Sequence, residues 1–255
     1  MRSDRMKKSV SETITKCAWI TGASSGIGAA MAHAFAGAGY CVALTARSDE
    51  ALRAVAAELD RSPEEIRLFP GDVTDRARIA AIAADIVAWA GRIDVLCNNA
   101  GLNVPLRRWD QLDWESWDRV IATNLTGALN VIAAALDPMR RQKSGVMIHT
   151  SSWAGRFHAD VAGVPYGASK HALTDLSASL NAQEGANGIR STALCPGEVA
   201  TPLLTKRPGF DAARAAQVIQ PEDVAGLALH VAEMNPNVAV HEITLAPVVR
   251  PTSET

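Results

Sequence analysis

Tyr166 and Lys170 stand four residues apart in "VPYGASK", and the tyrosine is one of only two in the chain. On a helix that spacing puts both side chains on one face, a turn apart. A free phenol has a pKa of roughly 10 and is a poor base near neutrality. A neighbouring ammonium favours the phenolate and brings that value towards the working range, as proton transfer requires. An isolated Y-x-x-x-K can equally be a packed ring beside a lysine that reaches for water, so its company decides. That company includes Ser151 and Ser152 in "TSSWAG", Asn124 in "ATNLTG", and the glycine-rich "TGASSGIG", Thr21 to Gly28.

The glycine-rich stretch has the makings of a phosphate cradle. Gly22 permits a sharp turn, Gly26 lets backbone approach a pyrophosphate, and Gly28 lets the following helix pack closely on the preceding strand. The N–H groups at that helix's start would face the anion. A second candidate anion ligand is Arg47 in "VALTARS", where no carboxylate ends the strand. Arginine can grip a phosphate in a bidentate, charge-assisted pair, or it can be a solvated loop residue.

Positioning these residues requires a frame, and the apolar pattern supplies one. The runs "CAWIT", "CVALTA", "IRLFP", "DVLCNNA", "GVMIHTS", "IRSTALCP" and "VHEITLAP" read as strands. Helical patterns separate them, including "AAMAHAFAGAG", "RIAAIAADIVAWAG", a long helix from about Trp114 to Met139, and one from about Pro165 to Ala186. Strands alternating with helices imply parallel pairing through right-handed crossovers, and continuous apolar strands imply a sheet covered on both faces. The expected fold is a single α/β domain over residues 15–255, with a doubly wound parallel sheet of about seven strands and helices on both faces. Residues 1–14 are expected to form a mobile arm. Ligands of such sheets sit beyond the carboxyl ends of the strands. Thr21, Arg47, Asn98 to Gly101, and the serine pair all begin where a strand ends, which argues for one site.

Composition narrows the partners. With 25 Lys and Arg against 27 Asp and Glu, net charge −2, the chain has no basic field to hold nucleic acid. No stretch reaches the roughly 18 consecutive apolar residues of a membrane span. No apolar segment follows the basic start to make a signal peptide. Cys17, Cys41, Cys97 and Cys195 are widely spaced and sit in or beside strands, as buried reduced thiols do. A reducing, cytoplasmic setting is expected. The six histidines show no metal-ligand spacing, so no metal is expected.

The loop's G-x-x-x-G-x-G spacing, "NNAG" (Asn98 to Gly101), "NLTG" (Asn124 to Gly127), "TSSWAG", "YGASK" and "CPGEVATPL" together resemble the short-chain dehydrogenase/reductase family. They stand in the family's order, over about Lys16 to Pro247. The resemblance implies a Rossmann-type domain and a nicotinamide dinucleotide. Gly22, Ser24, Ser25, Gly26, Ile27, Gly28, Asn99, Ala100 and Gly101 would hold it, with Asp72 and Val73 at the adenine. Asp72 could otherwise cap the next helix. Thr201, Val199 and the backbone near Pro196 and Gly197 would hold the carboxamide, and Lys170 the nicotinamide ribose.

Ala46 stands where NAD-preferring members usually carry Asp, and Arg47 follows, so NADP(H) is expected over NAD(H). By the same resemblance Tyr166 is the acid/base and Asn124 supports a water-linked proton path from Lys170. A serine holds the substrate oxygen, Ser152 by the S-S-x-x-G pattern with Ser151 as the alternative. The stretch from Ser152 to Tyr166 is one residue longer than in the family. The extra residue falls in "RFHADVAGVP", expected to line the substrate pocket with Trp153, Phe157, Leu102, Asn103, Leu203 and Leu204. Lys206 and Arg207 would meet an acidic substrate group or be a solvated pair. His158 would touch substrate or lie on the surface.

The implied activity is interconversion of a secondary alcohol and its ketone, or of a β-hydroxy and β-oxo acyl compound. A silent NADP-binding regulator is the alternative from another class. A homodimer or homotetramer is implied, with Ala168, Ala172 and Ser179 either packing between subunits or serving the core.

Overall fold

Strand β1 (Cys17–Thr21) is fully buried, and its residues alternate between two apolar layers: Ala18 and Ile20 face one, Cys17 and Trp19 the other. That alternation identifies a central strand covered on both sides. The computed structural model describes residues 15–205 and 212–249. The expectations for residues 1–14 and for Lys206 and Arg207 lie outside the described residues.

The other strands are β2 (Cys41–Thr45), β3 (Ile66–Leu68), β4 (Val95–Asn98), β5 (Gly145–Thr150), β6 (Ile189–Pro196) and β7 (Glu242–Leu245). All pair in parallel, in the order β3-β2-β1-β4-β5-β6-β7. The order reverses between β1 and β4, and that switch point is where such sheets bind ligand.

Helices α1 (Gly26–Gly37) and α2 (Asp49–Ala57) bury Phe35 and Leu52 in the first layer, and α8 (Pro221–Glu233) adds Val224. Across the sheet lie α3 (Arg76–Ala90), α4 (Trp114–Ile121), α5 (Ala128–Gln142) and α6 (Val164–Glu184). A short turn, α7 (Pro202–Thr205), follows β6.

The helix expected from Trp114 to Met139 runs on to Gln142, with a π-helical segment, Ala122–Gly127, between α4 and α5. Strand β3 stops at Leu68, short of the expected Pro70, whose ring carries no N–H for a ladder. The four cysteines are free thiols.

Candidate active site

The glycine-rich loop folds as a tight cradle between β1 and α1. Gly22 and Gly26 take left-handed backbone, φ +64° and +56°. A Cβ on Gly28 would collide with the Gly22 carbonyl oxygen and lie 2.7 Å from Asn99 Nδ2, so the first turn of α1 comes this close only with glycine. Ser25 is the N-cap of α1 but makes no side-chain cap bond, and no acidic residue occupies the first turn. The helix start is thereby left to face an anion. A Cβ on Gly26 would lie 3.1 Å from Thr201 Cγ2, so the segment after β6 reaches the loop. Ser24 is part-exposed, and Ile27 packs partly buried against the core.

The "NNAG" segment ties the cradle to the rest of the site. Asn99 Nδ2 donates to the carbonyls of Thr21 (3.1 Å) and Gly22 (3.4 Å), while Thr150 Oγ1 donates to Asn99 Oδ1 (2.9 Å). The backbone N–H groups of Asn99 and Ala100 donate to Thr21 Oγ1. The Asn99 side chain is thus engaged within the protein. Thr21 and Thr150, which open the "TGASSGIG" and "TSSWAG" stretches and had no role assigned, complete the tie. The signal available for both was their place as the last residue of a strand.

Lys170 is buried, and its Nζ donates to the Thr150 carbonyl at 2.7 Å. The ammonium lies 5.5 Å from the centroid of the Tyr166 ring. Burial holds the Lys170 pKa down at about 8, so the group still carries its charge at neutral pH. Beneath it His149 is also buried, pushed down to about 3 by burial and by the charge of Lys170. His149 Nδ1 meets the Asn98 amide at 3.3 Å and its Nε2 meets Ser191 Oγ at 3.1 Å. The Asn98 amide can only donate, so Nδ1 accepts and Nε2 carries the proton.

Asn124 lies in the π segment, fully buried. Its Oδ1 accepts from Leu102 N at 2.8 Å, and its Nδ2 donates to the Leu102 carbonyl (2.9 Å) and to Ser169 Oγ (3.2 Å). A Cβ on Gly101 would lie 3.3 Å from Asn124 Oδ1 and 3.4 Å from Lys170 Nζ, so Gly101 separates the two.

The two serines part company. Ser151 is buried, donates to the Lys170 carbonyl at 3.0 Å and bonds Thr174 Oγ1 at 2.7 Å. Ser152 is only part-buried, and its Oγ accepts one bond, from Ala154 N at 3.1 Å. Ser151 therefore holds α6 against β5, while Ser152 keeps a hydroxyl proton to donate.

At the adenine side Arg47 is exposed at the end of β2 and has no ion-pair partner among the described residues. The Asp72 carboxylate accepts from Thr74 N and Oγ1 in a local turn, and it is Asp75 that caps α3. Val73 is buried under Gly127. Beyond β6, Gly197 N donates to the Leu245 carbonyl, and Val199 forms a one-residue bridge with Ile219. A cavity of about 580 Å³ lies elsewhere, lined by Ser144, Ile189 and Asn237 among others, and none of the candidate residues borders it.

The described residues thus fit a nicotinamide dinucleotide: an open helix start behind a glycine cradle, an exposed arginine beyond β2, and a charged lysine beside a tyrosine. The comparisons with known proteins agree. A family model described as short chain dehydrogenase matches residues 16–210. A sulfoacetaldehyde reductase of Chromohalobacter salexigens is 33% identical over 242 residues, 92% of this chain and 94% of its own. Among solved structures, an alcohol dehydrogenase of the archaeon Thermococcus sibiricus, complexed with 5-hydroxy-NADP, is 30% identical with TM-score 0.82, covering 93% of this chain and 99% of its own. A serine dehydrogenase complexed with NADP+ is 27% identical with TM-score 0.83, covering 94% and 98%.

Proposed function

Since the chain belongs to the short-chain dehydrogenase/reductase family, we propose that it is an NADP(H)-dependent oxidoreductase interconverting a secondary alcohol and its ketone, or a β-hydroxy and β-oxo acyl compound. The observation that carries this reading is Lys170: a buried, charged ammonium fixed by the Thr150 carbonyl 5.5 Å from the Tyr166 ring.

Gly22, Ser24, Ser25, Gly26, Ile27 and Gly28 would hold the pyrophosphate side, with Asn99, Ala100 and Gly101 lining the edge beyond β4. Asp72 and Val73 would border the adenine, Pro196, Gly197, Val199 and Thr201 the carboxamide. Arg47 favours a 2′-phosphate, because nothing among the described residues neutralises it and Ala46 offers no carboxylate to repel one. Bound there, the dinucleotide supplies the hydride donor or acceptor.

The chain's own residues handle the proton. In reduction the Tyr166 hydroxyl gives its proton to the carbonyl oxygen as that oxygen gains charge, and in oxidation the phenolate takes it back. The Lys170 ammonium stabilises the phenolate in both directions. Ser152 donates its hydroxyl proton to the substrate oxygen, a role for which Ser151 has no free proton. Asn124 fixes the Leu102 backbone beside Lys170 and supports the path by which the lysine is resupplied with protons. The same reading takes the protein to be a cytoplasmic homodimer or homotetramer.

Tyr166→Phe tests the assignment. Turnover should fall by about 100-fold or more, with NADPH affinity retained. Near wild-type turnover on any carbonyl substrate would refute it.

A further inference from the structure

Resting on that reading, we infer that the substrate is a neutral carbonyl compound with a flat apolar body, such as a ketone that carries a phenyl group. It would lie against an aromatic wall made by Trp153 and Phe157. The small carboxylate- or sulfonate-bearing carbonyls suggested by the names of two similar proteins would be poor substrates.

The wall begins one residue after Ser152. Residues Trp153–Gly155 form a 3-10 turn, and Phe157 N donates to the Trp153 carbonyl at 2.9 Å. This single turn stacks the two rings, centroids 4.4 Å apart and planes 34° from parallel. Phe157 nevertheless remains 47% exposed and Val161, on the same loop, 49%. Apolar surface kept open on the loop that links Ser152 to Tyr166 marks a place where an apolar ligand is received.

The loop is also braced from behind. Asn103 Nδ2 donates to the Ala162 carbonyl at 2.9 Å, its Oδ1 accepts from Val104 N at 2.8 Å, and Val164 N donates to the Arg107 carbonyl at 2.9 Å. Gly163, at φ +80°, presses on Arg107 so closely that a Cβ would lie 2.5 Å from the arginine's own Cβ. The segment beyond β4 thus holds the stretch between Ser152 and Tyr166 in shape, and a preformed surface costs little ordering when substrate binds.

Charge points the same way. The loop from Ser152 to Pro165 carries three charged or titratable side chains: Arg156, His158 and Asp160. Arg156 Nε is 2.9 Å from Glu242 Oε2 on β7, and His158 Nε2 is 2.7 Å from Asp160 Oδ1. Both cations of this loop are thus already paired, and neither is left over for an anionic substrate. A neutral apolar one disturbs neither pair.

The experiment compares kcat/KM with NADPH for phenylacetone, butanone and succinic semialdehyde, in wild type, Phe157→Ala and Phe157→Tyr. Phenylacetone should exceed succinic semialdehyde by about tenfold or more, and Phe157→Ala should shrink the phenylacetone-to-butanone ratio about tenfold, chiefly through KM. Phe157→Tyr should restore the ratio, since it keeps the ring. A preference for succinic semialdehyde, or a ratio unmoved by Phe157→Ala, would overturn the wall and leave the reductase reading standing. If none of the three is turned over, binding replaces turnover as the readout of the wall. Calorimetric binding of 1-phenyl-2-propanol to the NADP+ complex then decides the wall: binding weakened about tenfold by Phe157→Ala sustains it, and no binding overturns it.

Discussion

His149→Asn should remove much of the protein's sensitivity to mild acid. In the folded chain His149 is buried, accepts from Asn98 at Nδ1, donates to Ser191 Oγ from Nε2, and lies under the charge of Lys170. Protonation would turn the accepting nitrogen into a donor facing another donor, and would add a second buried positive charge. The folded state therefore keeps the imidazole neutral down to about pH 3, whereas an unfolded chain protonates it below about pH 6.5. Between those values the unfolded state binds more protons, so stability falls as pH falls. From about pH 7 to about pH 4.5 the loss attributable to this one residue is about 3 kcal/mol, at about 1.4 kcal/mol for each pH unit below 6.5. Asparagine keeps an acceptor for Asn98 and cannot titrate. Its own packing cost is common to both pH values and cancels when each protein is compared with itself. Urea unfolding of both proteins at the two pH values gives the comparison. Wild type should lose about 3 kcal/mol more than the variant. Equal losses would refute a neutral, buried His149.

Three further outcomes follow from the site. Asn124→Ala should cost about 2–4 kcal/mol, since it strands Leu102 N–H and the Leu102 carbonyl and takes a donor from Ser169 Oγ, which keeps its own bond to the Tyr166 carbonyl; calorimetry should show Tm down by about 5–10 °C, and a Tm within the error of wild type would count against the bonding described. Arg47→Ala should weaken NADPH binding by about 1.5–3 kcal/mol while NADH titrations barely move, and equal losses for both cofactors would remove Arg47 from the phosphate. Gly28→Ala should push the first turn of α1 off Gly22, at about 1–3 kcal/mol of strain, and cofactor fluorescence titration should show markedly weaker binding; an unchanged Kd would contradict the close approach.

The parallel sheet was legible because its strands are apolar on both faces: "CAWIT" has no polar side to expose, so it had to be central. The glycine loop was legible because its residue types answer backbone demands that lie next to it in the chain. Legibility failed where the deciding contact is distant. Ser151 and Ser152 are chemically identical neighbours: the S-S-x-x-G pattern alone favoured Ser152, and the physical difference, extended backbone that sends one under α6 and one outward, rests on contacts with distant residues. Asp72 and Asp75 are both plausible caps by type, and only the path of the turn shows that Asp75 is the cap. Asn99 meets Thr150 from 51 residues away, a pairing that no local pattern announces. The π segment around Asn124 was likewise invisible, since its residues read as ordinary helix apart from one asparagine.

Those distant contacts form one continuous path through the centre of the sheet. The Gly22 carbonyl receives Asn99 Nδ2, Asn99 Oδ1 receives the Thr150 hydroxyl, and the Thr150 carbonyl receives Lys170 Nζ. Three strand ends, β1, β4 and β5, are thereby fixed relative to one another by side chains as well as by the ladder. The consequence is geometric. A phosphate cradle and a charged lysine that belong to distant parts of the chain become parts of one rigid edge. In the proposed reaction, proton transfer at a substrate held between them would depend on close placement of the reacting groups, and a rigid edge would supply it without ordering either half at the moment of reaction. Asn99, expected among the residues that hold the dinucleotide, spends its side chain on this path: it binds the Thr21 and Gly22 carbonyls and, through Thr150, is tied to the strand end that holds the lysine.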